Sequence, residues 1–138
     1  EEVFQKQVQP ENCGPAALAA VCRHYGVPAR EGEIARLAGT TLKGTSMLGL
    51  QQAAEAKGLA VSARRVQPSE LRALPRPSLL FFHEGHFAVL TGVQGRNYYV
   101  ADPSLGQRVW PEAYLRRYWR GEVLLLGPAE PVPTPAAP

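Results

Sequence analysis

Along the first half of the chain, small and apolar residues recur at helical spacing between clear stop signals. Residues 14–25, "GPAALAAVCRHY", are rich in Ala and Leu, tolerate Pro15 in the first turn and run into Gly26. This predicts a first helix with Cys13 at its N-terminus. "REGEIARLAG" predicts a second short helix ending at Gly39, and "TSMLGLQQAAEAKG" a third, capped by Thr45 or Ser46 and stopped by Gly58. From residue 60 the period changes. "AVSARRV", "SLLFF", "HFAVLTGV", "NYYVAD" and "EVLLL" are short, β-branched or aromatic, and bounded by Pro, Gly and Asn, which predicts strands. "QPSELRAL" predicts a short helix between the first two strands, and "PEAYLRRY" another before the last. Helices followed by short strands give an α+β class.

The 138 residues suffice for one domain with a core of its own, and 45% hydrophobic with 20% charged residues is a globular composition. The final stretch, "GPAEPVPTPAAP", has little to bury and reads as an extended tail or linker. The expected organisation is therefore a domain over 1–127 and a Pro-rich tail over 128–138. Lys and Arg number 15 against 12 acidic residues, with no basic run longer than the pairs Arg64-Arg65 and Arg116-Arg117, so a nucleic-acid partner is not expected. The apolar runs are of strand length, far short of the ~18 residues of a membrane helix. Because the first residue is Glu1 rather than Met, an upstream segment is expected to have been removed or left out.

Cys13 changes the picture. It follows Gln7, Gln9, Glu11 and Asn12, and stands where a helix begins, so the positive end of the helix dipole favours its thiolate. Cys22 lies among Ala19, Val21 and Tyr25 and reads as core. The two thiols are about 13 Å apart along one helix at ~1.5 Å per residue, too far for a disulfide; free thiols point to a reducing, intracellular-facing setting.

A thiolate nucleophile wants a histidine, and the chain offers His24, His83 and His86. His24 shares the helix of Cys13 but lies about 16 Å along it at ~1.5 Å per residue, and reads as a surface residue. "GHFAVLTGVQGRNYYVADPSLG" reads as a hairpin turning at Gln94-Gly95-Arg96. If Val93 faces Asn97, Ala88 faces Asp102, and His86 and Asp102 become diagonal neighbours on one face, within ~7–8 Å. His83 has the opposite parity and lies beyond the strand. A cysteine opening a helix, then a histidine and an aspartate at strand ends, is the Cys-His-Asp order of papain-like cysteine peptidases.

With Gln7 six residues before "CGPA" and Asp102 sixteen after His86 of "GHFAVL", the chain resembles the bacteriocin-processing, double-glycine peptidase family. "GTSMLGLQQAAEAKGL" and "YWRGEVLLL" resemble that family's middle and closing segments. Such domains commonly form the N-terminal part of export transporters and cut leader peptides after paired small residues, usually Gly-Gly. The resemblance implies a papain-like fold with helices packed on an antiparallel sheet, Cys13 as nucleophile, His86 as base, Asp102 as orienter and Gln7 as oxyanion donor. It implies no cofactor and no metal. The implied partners are a precursor peptide with a Gly-Gly leader and a membrane transporter in cis or in trans, at the cytoplasmic face of the cell membrane. Asn12 stands where the family often has Asp, and the Pro-rich tail replaces the usual lead into membrane helices. Two alternatives follow from the same residues: a stand-alone, exported cysteine hydrolase, and a non-catalytic substrate-binding domain of a transporter.

Overall fold

The computed structural model describes residues 12–82, 86–103 and 105–128. Three helices come first: α1 (Cys13–His24), α2 (Glu31–Ala38) and α3 (Met47–Ala56). Strand β1 (Ala60–Arg65) and a 3-10 helix (Pro68–Ala73) follow, then β2 (Ser78–Phe82), β3 (His86–Gln94), β4 (Asn97–Asp102), β5 (Gly106–Pro111), α4 (Glu112–Tyr118) and β6 (Glu122–Gly127). The strands form one six-stranded sheet in the order β1-β6-β2-β3-β4-β5. Each neighbouring pair is antiparallel.

Alternation divides the sheet between two cores. Leu79, Phe87, Val89, Ala101, Leu124 and Leu126 pack against α1, α2 and α3. The intervening Leu80, Ala88, Leu90, Val100, Val123 and Leu125 meet Leu71 of the 3-10 helix and Leu115 of α4 on the other face. Central strands covered on both faces need apolar residues at every position, hence the unbroken runs in β2 and β6. Helix α1 is the hub of the first core. Every residue from Cys13 to Cys22 is buried, so it reads as apolar all round rather than as an amphipathic stripe.

The segment 106–111 was not expected to be a strand. Only Trp110 of β5 is buried, and Gln107, Arg108 and Val109 face solvent at the sheet's edge, so the run lacks apolar alternation. The β3–β4 hairpin also differs from the expected three-residue turn: Gln94 pairs with Asn97, leaving only Gly95 and Arg96 in the turn. A bulge at Thr91 then shifts the ladder by one residue, so that Leu90 pairs with Val100 and Val89 with Ala101. The expected register is thus recovered at the far end of the hairpin.

Of the two candidate caps for α3, Ser46 does the work, its Oγ accepting from Gly49 N at 2.9 Å. Thr45 is buried and hydrogen-bonds Thr40 instead. Gly49 is where α2 and α3 meet, and a Cβ there would overlap the carbonyl oxygen of Ala38. Gly32, in the exposed first turn of α2, has open space around it. Gly49→Ala should therefore lower stability by about 1–3 kcal/mol through overpacking, while Gly32→Ala should raise it by up to about 1 kcal/mol through helix propensity. Urea unfolding midpoints will move in opposite directions if this account of the α2–α3 crossing is right.

Candidate active site

Cys13 opens α1 at the boundary between the helix layer and the sheet. Asn12 does not cap the helix with its side chain; its Nδ2 donates to Glu31 Oε2 at 2.8 Å and ties the foot of α1 to the start of α2. Gly14 lets α1 come close: a Cβ there would stand 3.0 Å from Leu50 Cδ1 and 3.1 Å from Phe87 Cδ2. The approach brings Cys13 Sγ onto the start of β3. The thiol accepts from Phe87 N–H at 3.2 Å and donates to the Phe87 carbonyl at 3.1 Å. Phe87 lies beyond Val89↔Ala101, the last pair of the β3–β4 ladder, and there its backbone meets the thiol.

His86, the first residue of β3, lies with Nδ1 3.4 Å from Cys13 Sγ. Its other nitrogen, Nε2, is 2.8 Å from Asp102 Oδ2. With the Nε2 proton donated to the carboxylate, Nδ1 is the nitrogen that faces the sulfur and exchanges a proton with it. Asp102 closes β4 and is fully buried. Its Oδ1 accepts from Leu105 N–H at 3.1 Å, so one carboxylate oxygen holds the turn into β5 while the other holds the imidazole. The ring of Phe82, paired with His86 across β2 and β3, lies 5.8 Å from the imidazole, and Trp110 packs edge-on against Phe82 at 5.5 Å. This aromatic wall borders the histidine on its apolar side.

The environment acts on the imidazole in one direction. The hydrogen bond from His86 to Asp102, and then that to Cys13, raise the His86 pKa to about 10 against the opposing effect of burial. Cys22, on the buried side of the same helix, is pushed up to about 11 by burial, which keeps it an unreactive thiol.

Of the four residues singled out in the sequence, His86 is brought into contact with both Cys13 and Asp102. Gln7 and His83 lie outside the described residues. His24 is at the far end of α1, edge-on to Tyr25. The Phe87 backbone contacts were not anticipated, because main-chain groups leave no sequence signal. Trp110 was missed with its strand. Among the described residues no three His, Cys, Asp or Glu side chains gather to hold a metal ion, and no helix is long and apolar enough to cross a membrane.

The family model of the peptidase C39 family matches residues 1–131. The chain belongs to this family. C39 family peptidases are cysteine proteases, and this fold is theirs. The chain is 36% identical over 126 residues to an uncharacterized protein of Methanothermobacter marburgensis, covering 91% of this chain and 89% of that one. It is 31% identical over 122 residues to the colicin V secretion/processing ATP-binding protein CvaB of Escherichia coli, covering 88% of this chain but 18% of that protein. Among solved structures, a double glycine motif protease from an AMS/PCAT transporter, in complex with the leader peptide, superposes with a TM-score of 0.86 at 27% identity, covering 91% of both chains. The peptidase domain of Streptococcus ComA, a bi-functional ABC transporter, gives 0.85 at 25% identity, covering 91% of this chain and 97% of that one.

The raised pKa of His86 has a defined consequence for pH. The stability it contributes is fully present below about pH 6.5, the ordinary histidine value, and is lost as the pH rises from there through about 10. The ring carbons of His86, followed by NMR, should therefore keep the imidazolium shift at pH 8, and Asp102→Asn should bring the titration down towards the ordinary range. A neutral wild-type ring at pH 8 would contradict the geometry described.

Proposed function

We propose that the chain is a cysteine endopeptidase that cuts precursor peptides after a Gly-Gly pair, at the cytoplasmic face of the cell membrane, beside or as part of the transporter that exports the product. One observation carries this reading: Cys13 Sγ lies 3.4 Å from one nitrogen of His86, whose other nitrogen lies 2.8 Å from a fully buried carboxylate. In this scheme the thiol proton already resides on His86, and Cys13 attacks the carbonyl carbon of the second glycine. The tetrahedral oxyanion forms beside the Cys13 backbone N–H at the foot of α1, with Gln7 as the second donor. His86, held as imidazolium by Asp102, gives its proton to the leaving amine, and water then releases the leader from the thioester.

The substrate side rests on the relatives. The similar transporter protease is a double glycine motif protease crystallised with a leader peptide, and the similar E. coli protein is named for colicin V secretion and processing. Leu37 of α2, Leu42 of the turn between the two helices and Leu48 of α3, all exposed, offer apolar contacts for the leader's own side chains. The Methanothermobacter relative, matched over 89% of its length, favours a second reading in which a peptidase of this size works apart from any transporter chain, as a stand-alone hydrolase.

Cys13→Ala should abolish cleavage of a synthetic Gly-Gly leader peptide with the fold retained, while Cys22→Ala leaves turnover largely intact. His86→Ala should be as damaging as loss of the thiol, Asp102→Asn should retain partial activity, and Gln7→Ala should cost roughly 10²–10³ in kcat. Mass spectrometry after iodoacetamide treatment checks the first pair: inactivation through Cys22 with Cys13 unmodified would overturn the assignment.

Replacing the final glycine of the leader with valine should stop cleavage, because a narrow cleft closing on the thiol would reject a branched side chain. Replacing an apolar leader position with Ala should lower kcat/KM. If the valine peptide is cut as fast as the glycine peptide, or a leaderless Gly-Gly pentapeptide as well as the full leader, the stand-alone hydrolase becomes the better reading.

A further inference from the structure

Away from the thiol, three arginines line a groove of about 620 Å³ between the end of β1, the 3-10 helix and the end of α4. Arg65, Gln67, Arg116, Trp119 and Arg120 form its walls. The arginines differ in how far they are already neutralised. Arg116 is paired with Glu112 at 2.6 Å, Arg65 meets Glu122 only at 3.9 Å, and Arg120 has no hydrogen-bond or ion-pair partner among the described residues. All three are exposed. Two weakly neutralised guanidinium groups beside a concavity, those of Arg65 and Arg120, favour carboxylates, which Arg can grip bidentately.

The sheet register gives the groove's distance from His86. Leu80 of β2 pairs with both Ala88 of β3 and Val123 of β6. Two residues further along β2, Phe82 pairs with His86, and the same step along β6 arrives at Gly121, which lines the groove. Neighbouring strands are about 4.8 Å apart, so the groove opens roughly 10 Å from the histidine, a span that about three residues of extended peptide cover.

We propose that this groove binds an acidic segment of the peptide substrate, lying within about three to six residues of the scissile bond. The proposal rests on the peptidase reading. A concave site admits a chain lying along it, whereas a bilayer surface would be met by a convex face. The carboxylates of such a segment would pair with Arg65 and Arg120, and selection would come from charge rather than from the fit of side chains at the thiol.

The test uses the full chain carrying Cys13→Ala, so that bound peptide stays intact, and a fluorescein-labelled octapeptide of glutamate, with the glutamine octapeptide as control. Fluorescence anisotropy at low salt should show the glutamate probe binding and the glutamine probe not. Arg65→Gln combined with Arg120→Gln should weaken the glutamate probe by about tenfold, the size of two exposed ion pairs. Equal binding by this double variant would overturn the proposal, as would a preference for phosphatidylglycerol vesicles or single-stranded DNA over the glutamate probe. On the Cys13 enzyme, Gly-Gly peptides with a glutamate-bearing flank should lose about tenfold in kcat/KM through the same double variant, while glutamine-flanked peptides should not. Binding of the glutamate probe without cleavage of either peptide would reject the peptidase reading and keep the groove as a carboxylate site. Cleavage of both peptides at equal rates, with no probe bound, would reject the groove and keep the peptidase.

Discussion

The close packing of the first turn of α1 against the first two residues of β3 is the contact on which the site depends. Gly14 permits it, because any side chain there would press on Leu50 and Phe87, and the fully buried Phe87 ring holds the strand at that distance. A buried aromatic side chain supplies about 1.5–3 kcal/mol, so a single packing interaction near the thiol is a sizeable part of a domain's net stability. Position and stability are joined here: the ring that anchors the helix belongs to the residue whose backbone grips Cys13, and the next residue back is His86.

Most of the helices and strands were legible because their burial is simple. α2 ends on Gly39, α3 begins on the Ser46 cap and stops at Gly58, and the central strands carry apolar runs that no surface loop would tolerate. The edge strand β5 was not legible, since its pairing with β4 is made by backbone groups and only Trp110 turns inward. At the site, Cys13, His86 and Asp102 could be picked out from helix position and strand parity, and they do converge. The Phe87 main-chain contacts and the Phe82–Trp110 wall could not, because they depend on which strands lie side by side. Gln7 came from family resemblance rather than from spacing.

Asp102 shows how a short polar side chain serves structure and chemistry together. Its carboxylate would be expensive to bury alone, yet each oxygen has a partner, Leu105 N–H on one and His86 on the other. The turn that releases β4 into β5 and the orientation of the imidazole therefore rely on one buried group, and the neighbouring rings of Phe82 and Trp110 keep that side of the histidine apolar.

The β3–β4 hairpin reaches its register by two compensating steps, a two-residue turn at Gly95-Arg96 and one extra residue at Thr91. The two-residue turn alone would set Asp102 opposite Val89, and the bulge alone would set it opposite Phe87, in either case on the face away from His86. The hairpin thus carries a parity constraint on its length. A single insertion or deletion anywhere between the bulge and the turn would part the carboxylate from the imidazole while leaving both residues in the chain, whereas a matched pair of changes would be silent at the site. Among relatives, hairpin lengths are then free to drift only in compensated steps, and a length alignment of this segment separates chains that keep the His–Asp contact from those that keep only its letters.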